Sequence, residues 1–175
     1  MAMKIYSNKH NKKGYHAQAM IEFAIVMPLL LVMLIGIFEF GRMIFIYSVA
    51  TNASREAVRF ASAIGFSDNT YYPKYQYCAG IRAVAKKYGF LLNLQNSDIR
   101  IYYDTGPSTT ATEKCTASSY SATNDSTIVA TMGKSRATVT VTTHYSPMVK
   151  FIPITTRDFI SSSARTIVGN VQTYP

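Results

Sequence analysis

Sixteen residues from Phe23 to Phe38, FAIVMPLLLVMLIGIF, carry no charge. As a helix they span roughly 24 Å at ~1.5 Å per residue, slightly less than a ~30 Å hydrocarbon core. The twenty residues from Ala19 to Phe38 close that gap with one charge, Glu22, near one end. Apolar character resumes beyond Glu39 and Arg42 as MIFIYSVA. The pattern predicts one transmembrane helix, since the core helix of a soluble domain seldom needs so long an unbroken run. A cleaved secretory signal fits less well. The small-x-small triplet Ser48-Val49-Ala50 lies beyond Glu39 and Arg42, and the run exceeds an h-region of about 7–15 residues. Pro28 predicts a kink near residues 24–28.

Past Arg42 the helical period continues through Ile46, Val49, Ala53, Ala57, Phe60 and Ile64, with Gly65 as a stop signal. One helix from Gln18 to Ile64 would be 47 residues, roughly 70 Å long. That is more than twice a bilayer, so its distal half must pack on a domain or on neighbouring helices. Ala53, Ala57 and Ala61 recur at four-residue spacing, which lets another backbone approach closely.

A tyrosine-rich link covers 66–77, and a second helix is predicted over Gln76–Tyr88, with Ile81, Val84, Ala85 and Tyr88 on one face and Gly89 ending it. Strand alternation marks Asp98–Asp104 (Ile99, Ile101, Tyr103), Ala137–Tyr145 (Ala137, Val139, Val141) and a third segment near Arg157–Val168. Between the first two lies Thr105–Gly133, where 13 of 29 residues are Ser or Thr. It reads as an exposed loop with a short strand at Ser126–Met132. The expected fold is α+β: a long N-terminal helix, one further helix and an antiparallel sheet of three or four strands. The expected divisions are a basic leader 1–17, the helix 18–64 and an α+β domain 65–175.

Charge orients this arrangement. Eighteen Lys and Arg against nine Asp and Glu give +9, but Lys4, Lys9, Lys12 and Lys13 all precede the first acid, Glu22. A lysine cluster before an apolar run predicts a cytoplasmic N-terminus, with everything beyond the helix outside the cytoplasmic membrane. An oxidising exterior permits a disulfide between Cys78 and Cys115. The two thiols either pair or stay separate and buried.

The sequence offers little for catalysis. His144 is the only histidine after the helix, and no Walker A, GxGxxG, HExxH or paired CxxC motif occurs. Two cysteines 37 residues apart do not make a metal site, and the acids are scattered singly. No enzyme activity, cofactor, metal or small-molecule substrate is expected. Tyr71, Tyr72, Tyr75 and Tyr77 surround Lys74, a composition able to stack nucleic-acid bases. We read it instead as a packed link and expect no nucleic-acid partner. Arg55, Glu56 and Arg59 read as a solvated helix face. Glu22 stands apart. A carboxylate within a membrane helix is costly unless interfacial, paired or neutral. It either complements the helix N-terminus or awaits a positive partner.

Gln18-Ala-Met-Ile-Glu-Phe23, the leucine-rich run with Pro28, Glu39-Phe-Gly-Arg42 and Asn52-Ala-Ser-Arg-Glu-Ala-Val-Arg-Phe-Ala61 resemble TadE/TadG-like proteins, pilin-like (pseudopilin) components of the tight-adherence, or Flp, pilus apparatus. The resemblance covers about residues 17–64. It implies a pilin-like fold and cleavage by a prepilin peptidase just before the helix. Cleavage in this family usually follows Gly, with Glu at position five of the mature chain. Counting back from Glu22 makes Gln18 the first mature residue, with Ala17 where the family has Gly. Glu22 would then pair with a neighbouring subunit's free amine, with Phe23, Pro28, Glu39, Arg42, Ala53, Ala57 and Ala61 in helix packing. The implied function is a minor pilin or assembly factor whose partners are the membrane and other pilus proteins. The other reading is an uncleaved, membrane-anchored external binding module.

Overall fold

The computed structural model describes residues 13–66, 72–106, 108–116, 120, 122–131, 133–148 and 155–168, with side chains from residue 18 onward. Lys4, Lys9, His10, Lys12, Tyr71 and Met132 lie outside the described residues, as do the side chains of Lys13, His16 and Ala17. The chain forms two units, dividing after Gly41.

Helix α1 runs from Lys13 to Ser62, so it begins before Gln18 and ends two residues before Ile64. Pro28 lies inside it. The residue's missing N–H removes one internal hydrogen bond, yet helical backbone continues on both sides. In the first unit the large apolar side chains are exposed on every side of the helix: Phe23, Ile25, Val26, Leu29, Leu31 and Val32, spread around the helical turn at about 100° per residue, all face outward. α1 is long and apolar enough to cross a membrane, and it fits single-pass anchoring.

The second unit, from Arg42, is an α+β domain. A 3-10 turn at Lys74–Gln76 leads into α2, Cys78–Tyr88. Four strands follow: β1 Ile99–Asp104, β2 Thr112–Lys114, β3 Arg136–Tyr145 and β4 Arg157–Thr166. They form one antiparallel sheet in the order β2-β1-β3-β4. Register places inward residues opposite one another: Ile99 faces Val141, Ile101 faces Val139 and Tyr103 faces Ala137. All six belong to the buried core. Because side chains alternate with period two, Thr138 and Thr140 fall on the other face.

The distal half of α1 completes the core with Ala50, Ala53, Ala57, Val58 and Ala61. The buried stripe is narrower in side-chain size than the predicted one. Phe60 is only partly buried, and Ile64, beyond the helix end, is 64% exposed. Small side chains are what close packing selects. A Cβ built on Gly80 of α2 would meet the Tyr77 ring and come within 3.1 Å of Phe60. A Cβ on Gly89 would lie 2.6 Å from Leu94 Cδ1 and 3.3 Å from Ala53 Cβ.

Three expectations need correction. The buried face of α2 is Cys78, Ile81, Arg82 and Ala85, while Val84 is half-buried and Tyr88 exposed. The disulfide and the buried arginine rotate the contact stripe away from the purely apolar one. The short strand in the Ser/Thr-rich segment lies at Thr112–Lys114, and the described part of 126–132 has no strand. That segment is also not simply an exposed loop, since Cys115 and Ile128 are buried. Beyond β2 its backbone is held outside any ladder, by side chains and by two backbone bonds, from Asp125 to the Gln76 carbonyl (2.9 Å) and from Ala79 to the Thr123 carbonyl (3.0 Å). Asp125 accepts from the Cys115 amide (3.0 Å) and from the Thr127 amide and hydroxyl (3.0 and 2.6 Å). Gln76 Nε2 donates to the Ile128 carbonyl at 2.8 Å. Burial opposes the charge on Asp125, but the Thr127 and Cys115 donors, with Lys114 nearby, hold its carboxyl below the usual range.

One ion pair locks the end of β1 to the start of β3. Arg136 donates twice to Asp104, at 2.9 and 3.0 Å. That hydrogen-bonded arginine, against opposing burial and with help from the Gly106 amide, keeps the Asp104 carboxyl below its ordinary value. Its stabilisation is therefore complete above the unfolded-state value near ~3.9 and lost as pH falls through the lower folded-state value. Asp104→Asn should cost about 2 kcal/mol at neutral pH, as for a hydrogen bond to a charged group. Urea unfolding of both proteins should show that gap closing toward pH 3.

Candidate functional site

The residues marked for assembly fall in both units. In the first, Gln18 Nε2 donates to Glu22 Oε1 at 3.2 Å, one helical turn apart, and both side chains are exposed. No other charged side chain interrupts the apolar surface until Glu39. Phe23, beside Glu22, is 66% exposed. Glu39 differs sharply, being 1% exposed.

In the second unit, Arg42 is anchored at the end of β3. Its Nη2 donates to the Ser146 carbonyl at 2.7 Å, and its guanidinium lies 5.0 Å from the centre of the Tyr145 ring. Tyr145, fully buried, packs edge-on against Phe159 of β4, which in turn meets Tyr47 of α1. Cation–π and edge-to-face aromatic contacts each add about 0.5–1.5 kcal/mol beyond burial. Arg42 thus ties α1 to the sheet of its own domain. Ala53, Ala57 and Ala61 are each 0% exposed and lie in that same core. The close approach permitted by this stripe is taken up within the chain itself.

Sequence reasoning missed a serine cluster beside that stripe. Ser54 Oγ lies 2.9 Å from Ser163 Oγ and 3.3 Å from Ser161 Oγ. Ser161 also donates to Thr51. Ser161 and Ser163 face Val141 and Val139 in the β4 register, so the hydroxyls sit on the core side and satisfy one another. The signal was the polar residue in Ala53-Ser54 and the Ser161-Ser162-Ser163 run, too common a composition to mark a contact.

Cys78 and Cys115 form a disulfide, with Cα atoms 5.8 Å apart across a separation of 37 residues. Arg82 lies one turn from Cys78 and is 3% exposed. It donates to the Cys115 carbonyl at 2.7 Å and stacks near Tyr120. Desolvation lowers its pKa, with Tyr120 and Glu113 opposing. These groups fasten the Ser/Thr-rich segment to α2.

In the described part of the aromatic link Tyr72 is 39% exposed, while the residues after it pack on the domain. Tyr75 is half-buried against the core and its carbonyl accepts from the Tyr103 hydroxyl, while the Lys74 ammonium lies 5.7 Å from the Phe60 ring. Arg59 and Glu56 form the i,i+3 pair of a solvated face at 3.5 Å. His144 bridges strands: its Nδ1 lies 2.7 Å from Asp158 and its Nε2 3.7 Å from Asp98. The Asp158 hydrogen bond leads the causes that raise the His144 pKa. Among the described residues no cluster of three His, Cys, Asp or Glu side chains could hold a metal ion.

Residues 17–59 match the family model of the TadE-like proteins. The match begins one residue before Gln18 and ends within the alanine stripe of α1. Neither the curated proteins nor the solved structures contain a match to the chain.

Proposed function

We propose that this chain, TadE-like along its long helix, serves the tight-adherence pilus system as a membrane-anchored minor pilin or assembly factor. The observation that carries the proposal is the coincidence of the family match, residues 17–59, with a helix whose first part exposes apolar side chains on every side. Such a surface is stable only when covered. Lipid covers it before assembly, and other helices replace lipid afterwards. The N-terminus is cytoplasmic, following the lysine cluster, and the disulfide-bonded domain is external. The peptidase cuts between Ala17 and Gln18, leaving Glu22 at position five to meet a neighbour's new amine. The chain acts by contact and not by catalysis.

Ala17, in place of the family's usual Gly, favours a second reading: an uncleaved anchor presenting an external binding module. Two measurements test these readings. A periplasm-dependent reporter fused after Pro175 should be active, and activity only of a cytoplasmic reporter would overturn the topology. The N-terminal mass of protein purified from its native membrane should begin at Gln18. An intact Met1 in pilus-producing cells would favour the uncleaved module.

A further inference from the structure

The order β2-β1-β3-β4 leaves two outer strands, and they differ in how well they resist further pairing. β2 is three residues long and carries Lys114; shortness and lysine both blunt an edge. β4 is ten residues long, contains neither Lys nor Pro, and keeps an unbroken register with β3 from Arg157 to Thr166. Among the described residues no strand pairs with its other side. Alternate residues of such a strand direct N–H and C=O away from the sheet. The stretch from Phe159 to Ala164 places no charge along that row.

Arginines stand beside this edge. Within the second unit α1 runs alongside β4 in the same direction: Tyr47 meets Phe159, and Ser54 meets Ser161 and Ser163. Farther along, Arg55, Glu56 and Arg59 of α1 face Ser163 and Arg165 of β4 across an open groove of about 390 Å³. Arg165 shares the strand period of Ser161 and Ser163 and so lies on the α1 side of the sheet. All three arginines are exposed, and Glu56 is the groove's one acid.

We propose that β4 accepts an added strand from a different protein, an extended segment with carboxylates at alternate positions. Its backbone pairs with the outer side of β4, and its carboxylates meet Arg55, Arg59 and Arg165. In this mode main-chain hydrogen bonds supply affinity and alternate side chains supply specificity. The spacing agrees. Arg55 and Arg59 are one helical turn apart, about 6 Å along the axis, and alternate residues of a strand are about 6.8 Å apart. Charge selects the occupant. No two acids of this chain are two residues apart, so neither its own segments nor a second copy supplies such a strand. The inference is independent of the topology and cleavage proposed above, because every residue it uses belongs to the second unit.

The probe is a fluorescein-labelled octapeptide alternating valine and glutamate, added to the full chain in detergent micelles. Anisotropy should show saturable binding, and deuterium exchange of the 157–166 backbone should slow at least tenfold at saturation. Arg55→Gln with Arg59→Gln should raise the Kd about tenfold, since both lose charge-assisted hydrogen bonds. Lys86→Gln with Lys87→Gln removes the same charge outside the groove and should change it less than twofold. No binding would overturn the proposal, as would bound peptide with unchanged exchange over 157–166. Equal weakening by the two double variants would reduce the effect to net charge and overturn it. Equal affinity for the same peptide N-methylated at every amide, or for single-stranded oligothymidylate, would overturn it too, leaving a general anion-binding surface.

Discussion

Removing the disulfide by Cys78→Ala with Cys115→Ala is expected to destabilise the α+β domain by about 4 kcal/mol. The chain-entropy relation gives that value for a loop of about this length. Helix α2 and strands β1 and β2 lie between the cysteines, while the chain after Lys114 leaves the sheet and is fixed by scattered hydrogen bonds, from side chains and from the Ala79–Thr123 and Asp125–Gln76 backbone pairs. Cys115 also sits at φ +66°, in the left-handed region that L residues with a Cβ adopt at a cost of about 1–2 kcal/mol. Without the bridge that residue can relax, and Arg82 and Asp125 lose a fixed carbonyl and amide. Those losses add to the entropic one. Urea unfolding with and without reductant checks this, with the slope rising as the denatured state expands. A loss below about 1 kcal/mol would show that the hydrogen bonds alone hold the segment.

Glu22→Gln should leave membrane insertion intact and weaken association with pilus partners by about 3–5 kcal/mol, the cost of breaking a buried ion pair. Within one chain Glu22 accepts from Gln18 across an exposed turn, and such an i,i+4 contact is worth about 0.2–0.5 kcal/mol. A role confined to the helix dipole would add at most about 1 kcal/mol. The two roles therefore predict effects several-fold apart. Glutamine keeps the shape and hydrogen bonding and removes the charge, which tests the counter-charge itself. Crosslinking yield to pilus partners, normalised to membrane level, is the readout. Leader processing is followed in the same sample because a cleavage defect would imitate an assembly defect. Unchanged crosslinking in fully processed protein would confine Glu22 to the helix terminus.

The long helix, the strands and their inward residues were legible because each rests on a local period. The apolar run needs only length and absence of charge. Ile99, Ile101 and Tyr103, and Ala137, Val139 and Val141, alternate as half-buried strands must, and each proved buried. The helical stripe of α1 was legible in period but not in membership. Periodicity places Phe60 and Ile64 with the alanines, whereas close packing against α2 and the sheet admits the small residues and leaves Ile64 outside. The strand at Thr112–Lys114 was invisible, because three polar residues on a sheet edge carry no hydrophobic alternation.

By itself the amino-acid sequence determined the apolar helix, the α+β class, the family resemblance over that helix and the positions of the two cysteines. All of these depend on neighbours along the chain or on composition. Tertiary structure decided what those features meet. It joined Cys78 to Cys115, placed Ser54 against Ser161 and Ser163, and buried Arg82 against the Cys115 carbonyl. It also seated Arg42 on Tyr145, turned the alanine stripe inward and left Phe90 and Leu91 outside. Each of these pairs residues dozens of positions apart or selects between two faces of one element. Such choices follow from packing volume and hydrogen-bond satisfaction in three dimensions, which no local period encodes.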